Sequence, residues 1–405
     1  MKVLMLLDKY FPPDIRVEKE ARALLKAGHE IFLVCPNKNK DLIEKEVQGI
    51  KVIYFPLIPN SIKWYFYYLQ FLILFVHSFW KRAMEKTIKQ YDIQALHIHD
   101  LAMVNTGLQV ARKFNIPITA DLHENYPEGV TTWSEGWKGK IINIIAPKWR
   151  WKRLEKHCVN HVNKVITVVG EAKEHYVIDC GVDPENITVV MNTEEKKYFC
   201  SLPLKKEIIE RYEDYFTISY IGGFGRLRGI HTAISAMPKI LQEIPNACLL
   251  LVGSGSNMNA LKKLVKRLNL KKTVKFTEWQ PFDTIPSYVV ASNICLVPHL
   301  ASVFTDTTIP HKLFQYMTMG KPVIVSSVKP LKRIIEETEA GLIYPSGDAD
   351  ALAKAVIIIY KNKDLAEKLG KAGKKAVEEK YNWENESKKL IELYHELNQY
   401  SHLLG

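Results

Sequence analysis

Residues 217–230 read TISYIGGFGRLRGI, and their residue types come in the order of a strand, a turn and a helix. Thr217–Ile221 is a short β-branched and aromatic run suited to a buried strand. Gly222–Gly229 is a glycine-rich loop, and the amphipathic stretch Ile230–Leu241 beyond it has a helical period. The arrangement returns at Ala247–Val252, closed by Gly253-Ser254-Gly255-Ser256 and a second amphipathic stretch. Outward from there, strands are expected at Thr273–Thr277, Ile294–Pro298, Val323–Ser326 and Gly341–Tyr344. The N-terminal half alternates in the same way, with strands expected at Lys2–Leu7, Glu30–Cys35, Lys51–Phe55, Ala95–His99, Pro117–Leu122, Lys164–Val169 and Thr188–Met191. Strands apolar on both faces and separated by helices predict an α/β protein with parallel, doubly wound sheets.

The 405 residues, 47% hydrophobic and 25% charged, suffice for two domains with their own cores and exclude a disordered, collagen-like or disulfide-stapled chain. A polar stretch over 192–206 separates the two series. The expected domains are therefore 1–199 and 200–382, both Rossmann-like. A helix over 383–405, patterned by Leu390, Leu393, Tyr394 and Leu397, is expected to cross back to the first. Six cysteines without a CxxC pair or metal-ligand spacing predict reduced, mostly buried thiols. The opening MKVLMLLDKYFPPD has only a short apolar run and no small-residue cleavage site, so it reads as a first strand and not as a secretory signal. Lys+Arg 56 against Asp+Glu 44 leaves a formal charge of +12, which points to an anionic partner: nucleic acid, a phosphorylated small molecule or an acidic membrane surface.

In open parallel sheets ligands bind beyond the carboxyl ends of strands, so two such domains facing each other predict a cleft with site residues just after strands. The Gly222–Gly229 loop meets that condition. Gly222 and Gly223 let backbone approach a ligand, the following helix offers free N–H groups, and Arg226 and Arg228 add charge; the set suits a diphosphate, or else is a plain turn with solvated arginines. Gly253 stands at the corresponding place in the next unit, as a second phosphate or ribose contact or as an ordinary βα turn. The densest stretch is Asp306–Val323, DTTIPHKLFQYMTMGKPV. Pro310 and Gly320 bracket a short helix. Thr307 and Thr308 offer hydroxyls and N–H groups to an anion, and Lys312 and Gln315 either face a ligand or lie on a solvated helix face.

These stretches carry a resemblance. The chain resembles the retaining GT-B glycosyltransferases of the glycosyl transferases group 1 family, which includes bacterial polysaccharide and lipopolysaccharide enzymes. The resemblance runs the whole length: Asp8–Arg16, Glu20–Glu30, the Asp121-Leu122-His123-Glu124 turn, the Gly222–Gly229 loop, and Pro310–Met317 followed by Gly320–Val323. It implies two facing Rossmann-like domains with a cleft, a nucleotide-sugar donor bound by the C-terminal domain and an acceptor by the N-terminal one, with Asp14 and Arg16 on the acceptor side. Arg228 holds the family's basic place before the loop's last glycine. A second family arginine is replaced by Gly223, which leaves Arg226 as its substitute. The family's two glutamates, separated by seven residues, fall at Thr307 and Gln315. Asp306 is then expected to supply a carboxylate to the donor sugar, and Gln315 to replace the ribose ligand by an amide. Gly222, Gly223, Gly253, Thr308, Lys312 and Leu313 complete the implied donor site.

By the same resemblance His123 lies near the donor sugar and the attacking hydroxyl, as a catalytic residue that orients and polarises the reacting centre, with Glu124 as a carboxylate for acceptor hydroxyls or general-base help. A lone His at a strand end is otherwise a structural hydrogen bonder. His97 and His99 share one face of their strand and Asp100 the other, and no metal site or cofactor is expected. Transfer with retention needs only that the leaving diphosphate accept the acceptor's proton on the same face while cationic groups stabilise it.

Two stretches point to a membrane. Trp64–Trp80, WYFYYLQFLILFVHSFW, is uncharged but short of the roughly 20 residues of a bilayer span. As one helix it would align Lys63, Gln70, His77 and Lys81 on a narrow face, either at a membrane interface or in the first core. Lys138–His157 has seven Lys/Arg against one Glu, with Trp149 and Trp151 interleaved, and suits an anionic membrane surface; no nucleic-acid motif accompanies it. The expected protein is thus cytoplasmic, peripheral to the inner face of the plasma membrane, and transfers sugar to a glycan or lipid-linked acceptor. A nucleotide-sugar epimerase of the same fold, or a non-catalytic nucleotide-sugar-binding or scaffold subunit, is the alternative.

Overall fold

The computed structural model describes residues 1–37, 41–57, 61–133 and 142–404. The chain divides into two units, Met1–Met191 with Ser387–Gly405, and Asn192–Glu386. The division falls ahead of Phe199 because the polar stretch is anchored in the second unit. Asn192 donates to the Ile309 carbonyl at 3.2 Å, and Glu194 bridges to Asn382. From Ser387 onward the last helix, Trp383–Leu404, belongs to the first unit, where Leu390, Leu393 and Leu397 are buried.

The first unit holds eight strands: β1 (Lys2–Leu6), β2 (Glu30–Asn37), β3 (Ile43–Val47), β4 (Ile50–Pro56), β5 (Ala95–His99), β6 (Ile118–Leu122), β7 (Lys164–Thr167) and β8 (Ile187–Val189). Their order is β3-β4-β2-β1-β5-β6-β7-β8. All pairs are parallel except β3 with β4. Strand β3 was not expected: IEKEV is exposed and charged on its inner positions, so it shows no buried run. What makes it a strand is the turn, where Gln48 and Gly49 both take positive φ (55° and 82°), as a tight two-residue hairpin requires.

The second unit holds β9 (Phe216–Ile221), β10 (Ala247–Val252), β11 (Val274–Glu278), β12 (Ile294–Val297), β13 (Val323–Ser326) and β14 (Gly341–Tyr344). They form a parallel sheet in the order β11-β10-β9-β12-β13-β14. Ile218, Leu249, Leu251 and Leu296 pack there with Ile234 and Met237 of the helix Ile230–Glu243. Among the parallel strands the order reverses beside β1 in the first sheet and beside β9 in the second. The crevice at such a reversal, beyond the strand carboxyl ends, is where open α/β sheets place ligands.

Trp64–Trp80 is not one helix. Phe75 takes a left-handed conformation (φ 52°) that ends the helix Ile62–Leu74, and a second helix, Ser78–Tyr91, follows. His77 is buried between them, with its N–H on Thr106, and Lys81 binds Gln109, so the expected polar face does not exist. No described helix is long and apolar enough to cross a membrane.

Candidate functional site

In the second unit the loop after β9 is built against the loop after β10. Gly222 N–H donates to Val252 O at 2.8 Å and Phe224 N–H to Ser254 O at 2.9 Å. A Cβ on Gly253 (φ 132°) would stand 2.1 Å from the Gly222 carbonyl oxygen, so Gly253 buttresses the first loop. Gly222 itself has φ 134°, and a Cβ there would lie 2.6 Å from Lys312 Nζ. The missing side chain is what admits the lysine. Gly223 is exposed and open.

Lys312, in the helix His311–Thr318, is only 8% exposed and sits over the Tyr220 ring at 3.8 Å. Among the described residues no carboxylate pairs with it or with Arg228. Burial, and then the Arg228 guanidinium, push its ammonium well below the usual lysine range. Burial, Arg228 and Lys312 do the same to His299 beyond β12, whose Nε2 is buried without a partner. Arg228, Lys312 and His299 thus converge without a counter-ion, an arrangement that an anion would stabilise. Arg226 is exposed and stands by His231, which burial and Arg226 lower.

The other donor-side candidates are occupied. Asp306 accepts from the Lys329 N–H at 3.0 Å, at the start of the helix Lys329–Thr338. Thr307 is buried in a short 3₁₀ turn with its hydroxyl on Val303 O at 3.0 Å. Thr308 is extended and buried. Leu313 lies wholly in the core, its N–H on Pro310 O. Gln315 is buried and donates to Glu194 Oε2 at 2.8 Å, so a carboxylate does stand at this place, contributed from the segment before the second sheet. The one Asp-x-Asp of the chain, Asp348-Ala349-Asp350, is structural: Asp348 caps the helix Ala349–Lys361 and Asp350 pairs with Lys239 at 3.2 Å.

In the first unit, β5 and β6 run in register, His99 beside Asp121, and their carboxyl ends gather a charged cluster. His123 Nε2 lies 2.5 Å from Asp121 Oδ2, and its Nδ1 lies 3.5 Å from Asp100 Oδ1. Asp100 does not stay on the far face of its strand. It leaves β5 at φ 62°, ψ 144°, a costly conformation for a non-glycine residue, which turns its carboxylate to His123 and to Lys9 Nζ at 3.0 Å.

Beneath lies Arg16, 4% exposed. It holds both Asp121 oxygens at 3.1 and 2.7 Å, Val190 O at 3.1 Å and Glu20 at 2.9 Å. Arg16 is therefore the counter-ion of a buried network. Asp14 caps the helix Ile15–Lys26 by accepting from Val17 N–H. His97 completes the cluster through Tyr394 OH at 2.8 Å. Glu124, next to His123, is partly exposed.

Burial opposes charge on His123, but Asp121 and Asp100 outweigh it and raise its pKa to about 9. Burial likewise opposes ionisation of Asp121, and Arg16 with His123 hold its carboxyl well below the usual range. Burial and Asp100 push Asp8, beyond β1, up to about 6. His123 is accordingly an imidazolium at neutral pH, a donor and polarising charge and not a base. Lys9, Glu20, Asp100, Asp121, Tyr394 and Glu194 were not read as site residues. The one available signal was an acidic residue inside a strand otherwise apolar on both faces, Asp121 in ITADL, because a buried carboxylate needs a partner.

The exposed residues Ile62, Phe66, Leu69 and Ile73 fall at i, i+4, i+7 and i+11 of the helix Ile62–Leu74, one face. The opposite face carries Phe71 and Phe75, packed on Trp151 at 5.9 and 4.6 Å. Trp151 is thus core. Arg150 of the same helix, Lys148–Val159, donates to Leu72 O at 3.1 Å. Trp149 is exposed with Arg153 against it. Lys138 and Lys140 lie outside the described residues.

Comparison with known proteins agrees with both units. The model of Glycosyltransferase Family 4 matches residues 15–193 and that of Glycosyl transferases group 1 matches residues 203–376. An uncharacterised glycosyltransferase of Methanocaldococcus jannaschii is 25% identical over 415 residues, covering 97% of this chain and 98% of its own. Sucrose-phosphate synthase from Thermosynechococcus elongatus superimposes with a TM-score of 0.79 at 21% identity, over 98% of this chain and 99% of that one. Anabaena HepE, solved in complex with UDP-glucose, gives 0.71 at 14% identity, over 98% and 100%. With both units matched by family models, the chain belongs to the group 1 glycosyltransferases and has the GT-B fold.

Proposed function

We propose that this glycosyltransferase moves a sugar from a nucleoside-diphosphate sugar to a hydroxyl of a lipid-linked or glycan acceptor at an anionic membrane surface, with retention at the anomeric carbon. The observation that carries the reading is the pair Arg228 and Lys312, which have no carboxylate partner among the described residues and stand at a glycine loop whose Gly222 leaves room for the lysine. A diphosphate is the anion that suits two such groups together with free helix N–H groups. Trp279, 69% exposed after β11, is available to stack on a base. The solved relative HepE, bound to UDP-glucose, supports a donor of this kind.

In the reaction the bond from the anomeric carbon to the diphosphate breaks and a bond to the acceptor oxygen forms on the same face. The acceptor's proton passes to the departing diphosphate. Arg228 and Lys312 stabilise the charge that develops there. His123, held as an imidazolium by Asp121 and Asp100, orients and polarises the reacting hydroxyls, and Glu124 receives acceptor hydroxyls.

A thermal-shift panel of UDP-, GDP- and ADP-sugars tests the donor. One of them is expected to stabilise the protein by about 2.7 kcal/mol at 100 times its dissociation constant, and NMR of the product made on a lipid extract should show the donor's anomeric configuration. Inversion, or no binding across the panel, overturns the reading.

The membrane part rests on the stripe Ile62, Phe66, Leu69 and Ile73 beside the cationic helix Lys148–Val159. Side chains of this size stabilise by about 1.5–3 kcal/mol each when buried, and each Lys or Arg near an anionic surface by about 1 kcal/mol. Phe66→Asp with Leu69→Asp should reduce binding to phosphatidylglycerol vesicles by tenfold or more and leave donor binding unchanged. Equal vesicle binding by the variant and the parent rules the surface out.

A further inference from the structure

We propose that Glu155, His175 and Cys180 form a binding site for a divalent cation of the zinc type, separate from the groups that carry transfer. The three residues come from different turns of the first unit. Glu155 lies in the helix Lys148–Val159, His175 in the helix Gly170–Ile178, and Cys180 just beyond it. Gly181 (φ 76°) turns the chain there, and Asn160 Nδ2 holds the Cys180 carbonyl at 2.9 Å, which fixes where the thiol stands.

His175 Nε2 lies 3.1 Å from Glu155 Oε2, and Cys180 Sγ lies 4.0 Å from the same oxygen. All three ligand atoms fall within 4.8 Å of one another. Zinc bonds of about 2.0–2.3 Å in a tetrahedron put ligand atoms about 3.5 Å apart, between the two separations observed. A thiolate, an imidazole and a carboxylate make a donor set that selects zinc over magnesium or calcium.

Two observations point to a ligand and not to a closed hydrogen-bond network. Glu155 is 2% exposed, and its Oε1 is buried with no partner, a defect that a bound ion removes. His175 has its Nδ1 2.7 Å from Asp179 Oδ2. Its Nε2 faces the Glu155 carboxylate, where an imidazolium proton or a bound cation joins the two. A carboxylate behind a ligating histidine is the usual outer support of a zinc site. Binding releases the thiol proton, and any proton on Nε2, to solvent. The ion would pin the helix that carries Trp149 and Arg150 to the helix Gly170–Ile178.

The test uses the full chain freed of metal with a chelator and titrated with cobalt(II). A thiolate-to-cobalt charge-transfer band should saturate at one equivalent and be displaced by zinc. It should vanish in Cys180→Ser and persist in Cys200→Ser, which removes the one exposed cysteine. Asp179→Asn, an exposed position that reaches the ion only through His175, should bind zinc about tenfold more weakly with an unchanged circular dichroism spectrum. No saturable band, a band that survives Cys180→Ser, or unchanged zinc affinity in a folded Asp179→Asn overturns the proposal.

Discussion

Arg228→Ala is expected to lower kcat/KM by about 10²–10³-fold while leaving the melting temperature of the ligand-free protein unchanged or higher. Most substitutions of a partly buried arginine destabilise, because they strand a partner. Arg228 has no carboxylate partner among the described residues. Its charge bears instead on Lys312 and His299, both lowered by burial first and by Arg228 next. A lysine whose folded pKa is depressed lowers stability wherever the unfolded chain would hold the proton, which includes neutral pH. Removing Arg228 lets the Lys312 pKa rise and relieves that term. Loss of catalysis without loss of stability is the signature of a site assembled for an absent anion. Activity within threefold of the parent, or a melting temperature several degrees lower, would show that Arg228 is structural.

Asp121→Asn should cost about 3–5 kcal/mol of folding stability, the range for breaking a buried ion pair from one side. Asp121 is fully buried and receives Arg16, His99 and His123 at once. The variant keeps the volume and leaves the Arg16 charge with Glu20 alone. The pH dependence separates two effects. The Asp121 carboxyl is held below its ordinary value, so its contribution is present above about pH 4 and lost as pH falls below it. The His123 pKa is raised from 6.5 to about 9, so its contribution is complete below about 6.5 and lost as pH rises through about 9. Urea unfolding at a series of pH values should show the alkaline loss in the parent and not in the variant, and NMR titration should move the His123 midpoint down. An ordinary His123 midpoint in the parent would sink this account.

The glycine loop, the short helix after Pro310 and the strand that precedes His123 were legible because each is a local pattern: a period of two or a buried run, a turn residue, a helical stop. Charge was legible only in sum. That Lys312 reaches the loop follows from Gly222 lacking a Cβ, which no local pattern reports. Arg16 looked like an acceptor-side group from its place in the opening motif. It is buried because the helix Ile15–Lys26 turns it under β6, toward a carboxylate more than 100 residues away in the chain.

The substitution of glutamine for a family glutamate shows the same limit. Gln315 read alone is a lost carboxylate. Folded, it donates to Glu194, which the chain brings across more than 100 residues to the same place. The uncharged run Trp64–Trp80 read as one helix, yet a single left-handed residue, Phe75, splits it and sends His77 inward while Phe66 and Leu69 stay outside.

Two α/β units, the glycine loops at their strand ends and the enzyme family were all written in the order of residues, since hydrophobic period and turn chemistry act over a few positions. Which charges end up paired, which stay unpaired and which cysteine meets a histidine were not. Those depend on side chains brought within about 4 Å by strand register and helix packing, and in a buried setting each such meeting changes charge energetics by more than any local preference does.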